Sequence, residues 1–142
     1  ILGAVAMQAT AKKGSFDAMQ RSLASSLAQD IIERMRSDDA SILNAYISTE
    51  YGEGVTCSGG CSVFTQTNID EFELALTGGD VLLGGNHAGG LVDARACVDV
   101  SNNAVTVVVT WQGRTVTVDG NTEGCGASGK QRRQVLVEGF IF

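Results

Sequence analysis

The chain has 142 residues, with no proline, 18 glycines, four cysteines and one histidine, and its formal net charge is −6. This length suits one domain built around one core. Because 44% of the residues are hydrophobic and only 18% are charged, the composition excludes a disordered acidic tail, and the absence of proline excludes a Pro-rich linker.

The charge is distributed unevenly along the chain. Residues 1–11 carry no charge, residues 12–36 carry a net +2 and residues 37–142 carry a net −8. Proteins that bind nucleic acid concentrate Lys and Arg on the folded domain, so the acidic bulk argues against that function. A short basic band beside an uncharged apolar end instead indicates a segment near a membrane surface or a partner helix.

The uncharged start, residues 1–11, predicts the first turns of a helix. Such a helix is about 16 Å long, roughly half the hydrocarbon core of a bilayer, so it cannot span a membrane alone. It also lacks the charged n-region and cleavage site of a secretory signal. Two interpretations stay open: a buried helix end, or the tail of a longer hydrophobic segment whose upstream part is missing from this chain. The second is favoured because the helical pattern continues without a break.

Beyond this start, apolar residues recur at helical intervals of three and four, at Phe16, Met19, Leu23, Leu27, Ile31 and Met35. The spacing predicts a single helix of about 35 residues, roughly 50 Å long, which must extend beyond a domain of this size. Arg34 and Arg36 suit the C-terminal carbonyls of that helix, and residues 37–39 mark its end.

Two shorter helices are predicted next. One covers about residues 41–49, and residues 49–60 form a loop. The other begins at Asn68 as its N-cap and ends at Gly78 and Gly79. Its inward-facing residues are Ile69, Phe72 and Leu76.

The acidic residues and the histidine in this part of the chain could bind a metal or act in catalysis, but their positions are explained without either role. Asp70, Glu71 and Glu73 favour the positive end of a helix, so a calcium site or an acid/base pair is not predicted. The glycine-rich residues 78–90 predict an exposed, mobile loop. His87 lies in this loop and is interpreted as a turn residue, since no serine, cysteine or second histidine lies near it in the sequence.

The hydrophobic period changes to two after residue 90, which predicts antiparallel strands. Strands are predicted over residues 94–100, 105–111, 116–118 and 135–142. The sheet has one apolar face, and the long helix is the only element that can cover it. The predicted fold class is therefore α+β, with a long N-terminal α-helix packed on a C-terminal antiparallel β-sheet of about four strands.

Four cysteines allow three disulfide connectivities. The spacing favours Cys57 with Cys61, which share a flexible loop, and Cys97 with Cys125, which link a strand to the segment before the last strand. A zinc site is the competing interpretation, but paired C-x-x-C motifs are missing. Disulfides indicate a periplasmic or extracellular compartment.

Two further motifs lie near the C-terminus. Residues 124–129 match G-x-G-x-x-G, but a strand rather than a helix follows, so no helix N-terminus is available for a pyrophosphate. Lys130, Arg132 and Arg133 are interpreted as a solvated strand start, with contact to phosphate or an acidic partner as the alternative. A single histidine permits no choice among catalytic triads, and neither enzymatic activity nor a cofactor is predicted.

In this order, the motifs resemble those of the minor type IV pilins, and most closely the PilV family of type IV pilus modification proteins. The resemblance covers nearly the whole chain. Residues 1–8 (ILGAVAMQ) are similar to the later part of the pilin hydrophobic helix, and residues 26–37 (SLAQDIIERMRS) are similar to its end. The four cysteines, Trp111 and residues 132–135 (RRQV) follow in the family's order. Phe72 stands where the family has tryptophan, and the leader peptide, its cleavage site and the glutamate near the mature N-terminus are not in this chain.

The resemblance implies a pilin helix over residues 1–36 and a globular head over residues 37–142. It assigns helix packing in the filament to five residues: Leu2, Val5, Ala9, Phe16 and Met19. Four later residues of the helix are expected to face the subunit's own sheet: Leu23, Leu27, Ile31 and Met35.

The function implied by the resemblance is that of a minor pilin, which primes or modifies pilus assembly and supports adhesion and twitching motility. Its partners are other minor and major pilins, a tip-associated adhesin, and the inner membrane through the N-terminal helix; no nucleic acid or small-molecule substrate is expected. The subunit lies in the inner membrane, facing the periplasm, and in the extracellular pilus near its tip. The alternative is a minor pseudopilin of a type II secretion system.

Overall fold

A computed structural model describes the backbone of residues 2–57, 61–79, 81–87 and 89–142, and the side chains of these ranges apart from residues 2–15 and His87. Within these ranges, two α-helices, one 3₁₀ helix and six strands follow one another: α1 (Leu2–Arg36), the 3₁₀ helix (Ala40–Tyr46), β1 (Ser48–Tyr51), α2 (Val63–Thr77), β2 (Leu82–Leu83), β3 (Asn86–His87), β4 (Arg95–Ser101), β5 (Ala104–Gln112) and β6 (Arg132–Phe140). The single long N-terminal helix, ending at Arg36, confirms the predicted first element.

Four strands form one antiparallel sheet in the order β1-β4-β5-β6. Cys97 of β4 is paired with Val108 of β5, and Thr110 of β5 is paired with Gln134 of β6. Helix α1 packs on one face of this sheet, mainly against β5 and β6. The predicted α+β class, with a long N-terminal helix on a four-stranded antiparallel sheet, is confirmed at this level.

The core lies between α1, α2 and the sheet. Helix α1 contributes residues at helical spacing, and β4 and β5 contribute alternate residues, so each element buries one face. Trp111, at the end of β5, is fully buried. The α1 residues in the core are Ala24, Leu27, Ala28, Ile31, Ile32 and Met35.

The region before the sheet differs from the prediction. Instead of an α-helix over residues 41–49 and a loop over residues 49–60, a 3₁₀ helix ends at Tyr46 and the edge strand β1 follows it. Helix α2 begins five residues before the predicted N-cap Asn68, because the Ser62 hydroxyl accepts the Thr65 N–H (3.1 Å) and caps the helix there. The predicted end at Gly78 is confirmed, with Gly78 in the left-handed conformation.

One prediction on the C-terminal half was wrong, since no strand forms over residues 116–118. Val116 and Val118 lie in an irregular loop and are exposed, and the fourth strand of the sheet is β1. Two alternating valines are too short a pattern to predict a strand, because pairing depends on a partner edge. Residues 78–90 contain a small hairpin, β2–β3, whose turn is formed by Gly84 and Gly85, both with positive φ.

Candidate functional site

Helix α1 turns one face to the head. The residues of this face are buried from Ala24 to Met35, and Leu23, which directly precedes them in the chain, is half-buried. Leu27, Ile31 and Met35 therefore pack against the subunit's own core, as predicted. Including Phe16, which lies under Arg114, the described contacts with the head extend over about 20 residues, or about 30 Å, of a helix that is about 52 Å long.

The residues assigned to filament packing fall into two groups. Leu2, Val5 and Ala9 lie on the helical backbone, but their side chains are outside the described residues. Met19 is exposed, with 67% of its surface accessible, whereas Phe16 is half-buried because the guanidinium carbon of Arg114 lies 3.8 Å from its ring centroid. Met19 is thus available to another helix, and Phe16 is already used within the subunit.

The face of α1 opposite the core is polar and includes three small side chains at intervals of four residues, Ala18, Ser22 and Ser26. Its other exposed residues are Met19, Gln29, Glu33 and Arg36. Small side chains allow two helices to approach closely, since the distance between helix axes depends on the side chains at the contact.

At the N-terminal end of the head, the irregular loop 113–131 lies beside the start of β6. Gly113 N–H donates to the Gln131 carbonyl (2.7 Å), and Thr117 N–H donates to the Lys130 carbonyl (2.8 Å). Arg133 reaches back across this loop and donates to the Thr115 carbonyl (2.9 Å). These bonds give the loop one conformation without a regular strand.

Arg132 corrects the interpretation of the basic cluster as a solvated strand start. Only 3% of Arg132 is exposed. Its guanidinium donates to the Asp93 carbonyl (2.9 Å), the Asp93 carboxylate (3.3 Å) and the Thr110 hydroxyl (2.8 Å). Burial lowers the pKa of Arg132, and the carboxylate of Asp93 opposes this effect. Lys130 is exposed and Arg133 is half-buried, so the cluster divides into one structural cation and two at the surface.

A hydrogen-bonded polar network closes the other end of the head, where α1 meets the 3₁₀ helix and α2. The Asp38 carboxylate accepts hydrogen bonds from the Tyr46 hydroxyl and the Thr65 hydroxyl, both at 2.6 Å. The Asn68 amide donates to Tyr46 Oη (3.1 Å), and Arg34 donates to Asn68 Oδ1 (3.3 Å). Arg34 also forms ion pairs with Asp30 and Glu71.

This network shifts the ionisation of two of its members in opposite directions. Burial raises the pKa of Asp38, but the hydrogen bonds from Thr65 and Tyr46 outweigh it, so the pKa of Asp38 lies below its ordinary value. Burial and the hydrogen bond to Asp38 raise the pKa of Tyr46 to about 12. Both groups are held in the forms that make the hydrogen bond, which points to a structural role.

The three carboxylates predicted in the first turn of a helix lie in the middle of α2, where each has a protein partner. Asp70 accepts from the Gln66 amide (2.7 Å), Glu71 pairs with Arg34, and Glu73 accepts from the Gly52 N–H (2.9 Å). Among the side chains that the structure describes, no group of three or more potential metal ligands is found. His87 has its side chain outside the described residues.

The cysteines lie in the two pairs that the spacing favours. Cys57 and Cys61 have Cα atoms 6.2 Å apart, and Cys97 and Cys125 have Cα atoms 6.0 Å apart, both within disulfide range. The first pair lies beside the start of α2, and the second ties loop 113–131 to β4. Residues 58–60 of the smaller ring lie outside the described residues.

The network of Asp38, Tyr46, Thr65 and Asn68 escaped the sequence analysis. The pairs that bond one another are 8 to 27 residues apart along the chain and carry no motif. One signal was present: Asn68 occupies a helix-interior position on the same face as Phe72 and Leu76, where a polar residue needs a buried partner.

Three comparisons with known proteins complete the description of the site. No family model matches the chain, and neither the curated proteins nor the solved structures contain a significant match. In the described part of the chain, no helix combines the length and the apolarity that crossing a membrane requires.

Proposed function

We propose that the chain is a minor pilin subunit of a type IV pilus, which primes or modifies pilus assembly and supports adhesion and twitching motility. One observation carries the proposal: a helix of 35 residues packs on a four-stranded antiparallel sheet, and fourteen of its residues precede Phe16, the first residue with a described contact to the head. The apolar residues among these fourteen suit another partner, because the helix is far longer than an average helix of a globular protein. Other pilin helices in the filament core, and the inner membrane before assembly, are the partners that suit it.

The two disulfide pairs support the proposed location in the periplasm and then in the extracellular pilus, near its tip. The exposed face of α1, with Met19 and small residues from Ala18 to Ser26, suits close packing against the helices of other minor and major pilins. A tip-associated adhesin is a further partner in this proposal.

A charge introduced into the apolar start of the helix tests the proposal. In cells that carry the pilus system, Val5→Glu is expected to lower the amount of this subunit in sheared pili at least about tenfold, because an unpaired charge buried between helices costs several kcal/mol. Val63→Glu is the matched control, since Val63 is 85% exposed in the first turn of α2, where a carboxylate is favourable.

Both variants should keep the thermal unfolding of the wild-type head. Equal incorporation of Val5→Glu and wild type contradicts the helix-packing role. Crosslinking in the cell envelope separates the two pilin-like functions: capture of type II secretion pseudopilins without pilus subunits overturns the pilus assignment.

A further inference from the structure

The described cations of the chain fall into two groups, those with a carboxylate partner and those without one. Arg34, Arg36, Arg95 and Arg132 each have a carboxylate within 4.0 Å. The four described cations without such a partner are Arg21, Arg114, Lys130 and Arg133. All four lie at the N-terminal end of the head, where α1 first contacts it.

Their positions follow from contacts within the subunit. Arg21 donates to the carbonyl of Gln134 (3.1 Å) and lies 5.5 Å from the ring centroid of Trp111. Arg114 lies over Phe16, and Lys130 is exposed and has no partner for its ammonium group among the described residues. Rings and a carbonyl hold Arg21 and Arg114 in place but do not neutralise their charge.

The described carboxylates near this end pair with other arginines or lie more than 4.0 Å from these four cations. Asp93 is shared between Arg132 and Arg95, and Glu53 also pairs with Arg95. Asp119 accepts the N–H of Asn121 (3.0 Å) within its own loop. None of these four cations is therefore compensated by an ion pair with a described carboxylate, in a chain whose net charge is −6.

Apolar side chains lie among these cations. Val116 is 68% exposed and Val118 is 78% exposed, and they flank Thr117, whose N–H is bonded to the Lys130 carbonyl. Val116 and Lys130 line the same open cavity of about 220 Å³. We define the basic surface as Arg21, Arg114, Val116, Val118, Lys130 and Arg133.

We propose that the basic surface docks on a membrane that contains anionic phospholipid, with the cations on headgroup phosphates and the two valines in the interface. This proposal rests on the proposed function, in which the apolar start of α1 enters the membrane. From Phe16, α1 continues towards its N-terminus for 14 residues, about 21 Å, and its first ten residues, 2–11, are uncharged. The basic surface thus lies at the level where the helix leaves the head.

The combination of charge and exposed apolar side chains favours a lipid surface over nucleic acid. Each Lys or Arg near an anionic membrane contributes about 1 kcal/mol, and the contribution is screened by salt within a Debye length. Exposed valines add nothing to phosphate binding in a nucleic acid, whereas an interface gains from them.

Vesicle binding by the full chain tests the proposal. The purified protein is mixed with vesicles of phosphatidylcholine alone or with a third of phosphatidylglycerol, and the bound fraction is measured by flotation. Arg114→Gln is expected to weaken binding to the anionic vesicles about fivefold, the equivalent of one Lys or Arg contact, with no change on phosphatidylcholine. Replacing Val116 and Val118 by serine should weaken binding to both kinds of vesicle.

The matched control is Arg36→Gln, which removes the same charge from an exposed arginine at the other end of the described part of α1. It should leave binding within about twofold, because its charge lies more than a Debye length from the basic surface. Equal losses in both arginine variants, or none in Arg114→Gln, overturn the proposal. So does a duplex oligonucleotide bound with the same dependence on Arg114. If Val5→Glu assembles normally while the lipid result holds, the pilus function fails and the docking surface stands.

Discussion

The two ends of the head differ in how their polar groups are satisfied. Where α1 ends, Asp38, Tyr46 and Thr65 bond one another, and Arg34 is paired with carboxylates. Where α1 enters the head, Arg114 and Lys130 have no partner among the described carboxylates, and Val116 and Val118 are exposed. At the first end the polar groups bond one another, whereas at the second end cations and apolar side chains are exposed and available to a partner. Three measurements of stability test this difference.

The largest effect is expected from the two disulfides, one at each end. Replacing Cys97 and Cys125 by alanine should lower the free energy of unfolding by about 3.5 kcal/mol, and replacing Cys57 and Cys61 by about 2 kcal/mol, because the larger ring restricts the unfolded chain more. Urea unfolding followed by circular dichroism measures both. A larger loss at the smaller ring would show that its neighbourhood, rather than ring size, decides the stability.

A smaller effect, with a definite pH dependence, is expected from the network at the closed end. Asp38→Asn should cost about 1–2 kcal/mol at pH 7, because the hydrogen bonds from Tyr46 and Thr65 lose a charged acceptor. Since the pKa of Asp38 is lowered by folding, the stabilisation is present above the unfolded pKa, about 4, and is lost as pH falls through the folded pKa. The difference between wild type and variant should therefore shrink below pH 4.

Tyr46 provides the control at high pH. Its pKa of about 12 in the folded protein exceeds the ordinary 10.0, so folding favours the protonated phenol and stability falls as pH rises from 10 to 12. Tyr46→Phe should reduce this alkaline loss, and the part that remains is due to Tyr51, whose pKa is also raised by burial. The loss of stability in acid should still depend on Asp38. If Tyr46→Phe loses as much stability between pH 10 and 12 as the wild type, Tyr46 is not the cause of that loss.

The smallest effects compare one arginine from each end. Arg34→Met should cost about 1 kcal/mol, because Asn68 and two carboxylates lose a partner while the aliphatic stem is kept. Arg114→Met should stay within about 0.5 kcal/mol, as expected of an exposed side chain that only stacks on Phe16. Thermal unfolding of both variants gives the comparison. Equal costs would mean that Arg114 serves the stability of the head.

Features with a strong local signal were predictable from the sequence. The recurrence of Leu27, Ile31 and Met35 predicted the buried face of α1, and Gly78 predicted the end of α2. The start of α2 was wrong because Asn68 followed by Glu71 satisfies the capping pattern, while Ser62 provides a cap one turn and a half earlier. Residue types alone do not decide between two acceptable caps.

Among the candidate functional residues, too, the sequence predicted some features and only the fold decided others. Phe16 and Met19 belong to the same predicted apolar stripe, yet Arg114 covers Phe16 and leaves Met19 exposed. Lys130, Arg132 and Arg133 form one cluster in the sequence. In the fold, the alternation of β6 turns Arg132 inward to Asp93 and Thr110. Because these partners are far apart along the chain, a local sequence pattern does not predict them.

By itself, the sequence determined the long helix, the two strands β4 and β5, the favoured disulfide pairs and the concentration of negative charge in the head, because periodicity and composition are local or additive properties. Only the tertiary structure decided that β1 completes the sheet, that residues 116–118 stay outside it, and that the unpaired cations collect at one end. The physical reason is that strand pairing and charge pairing depend on which distant groups meet, and those meetings are set by packing the helix on the sheet.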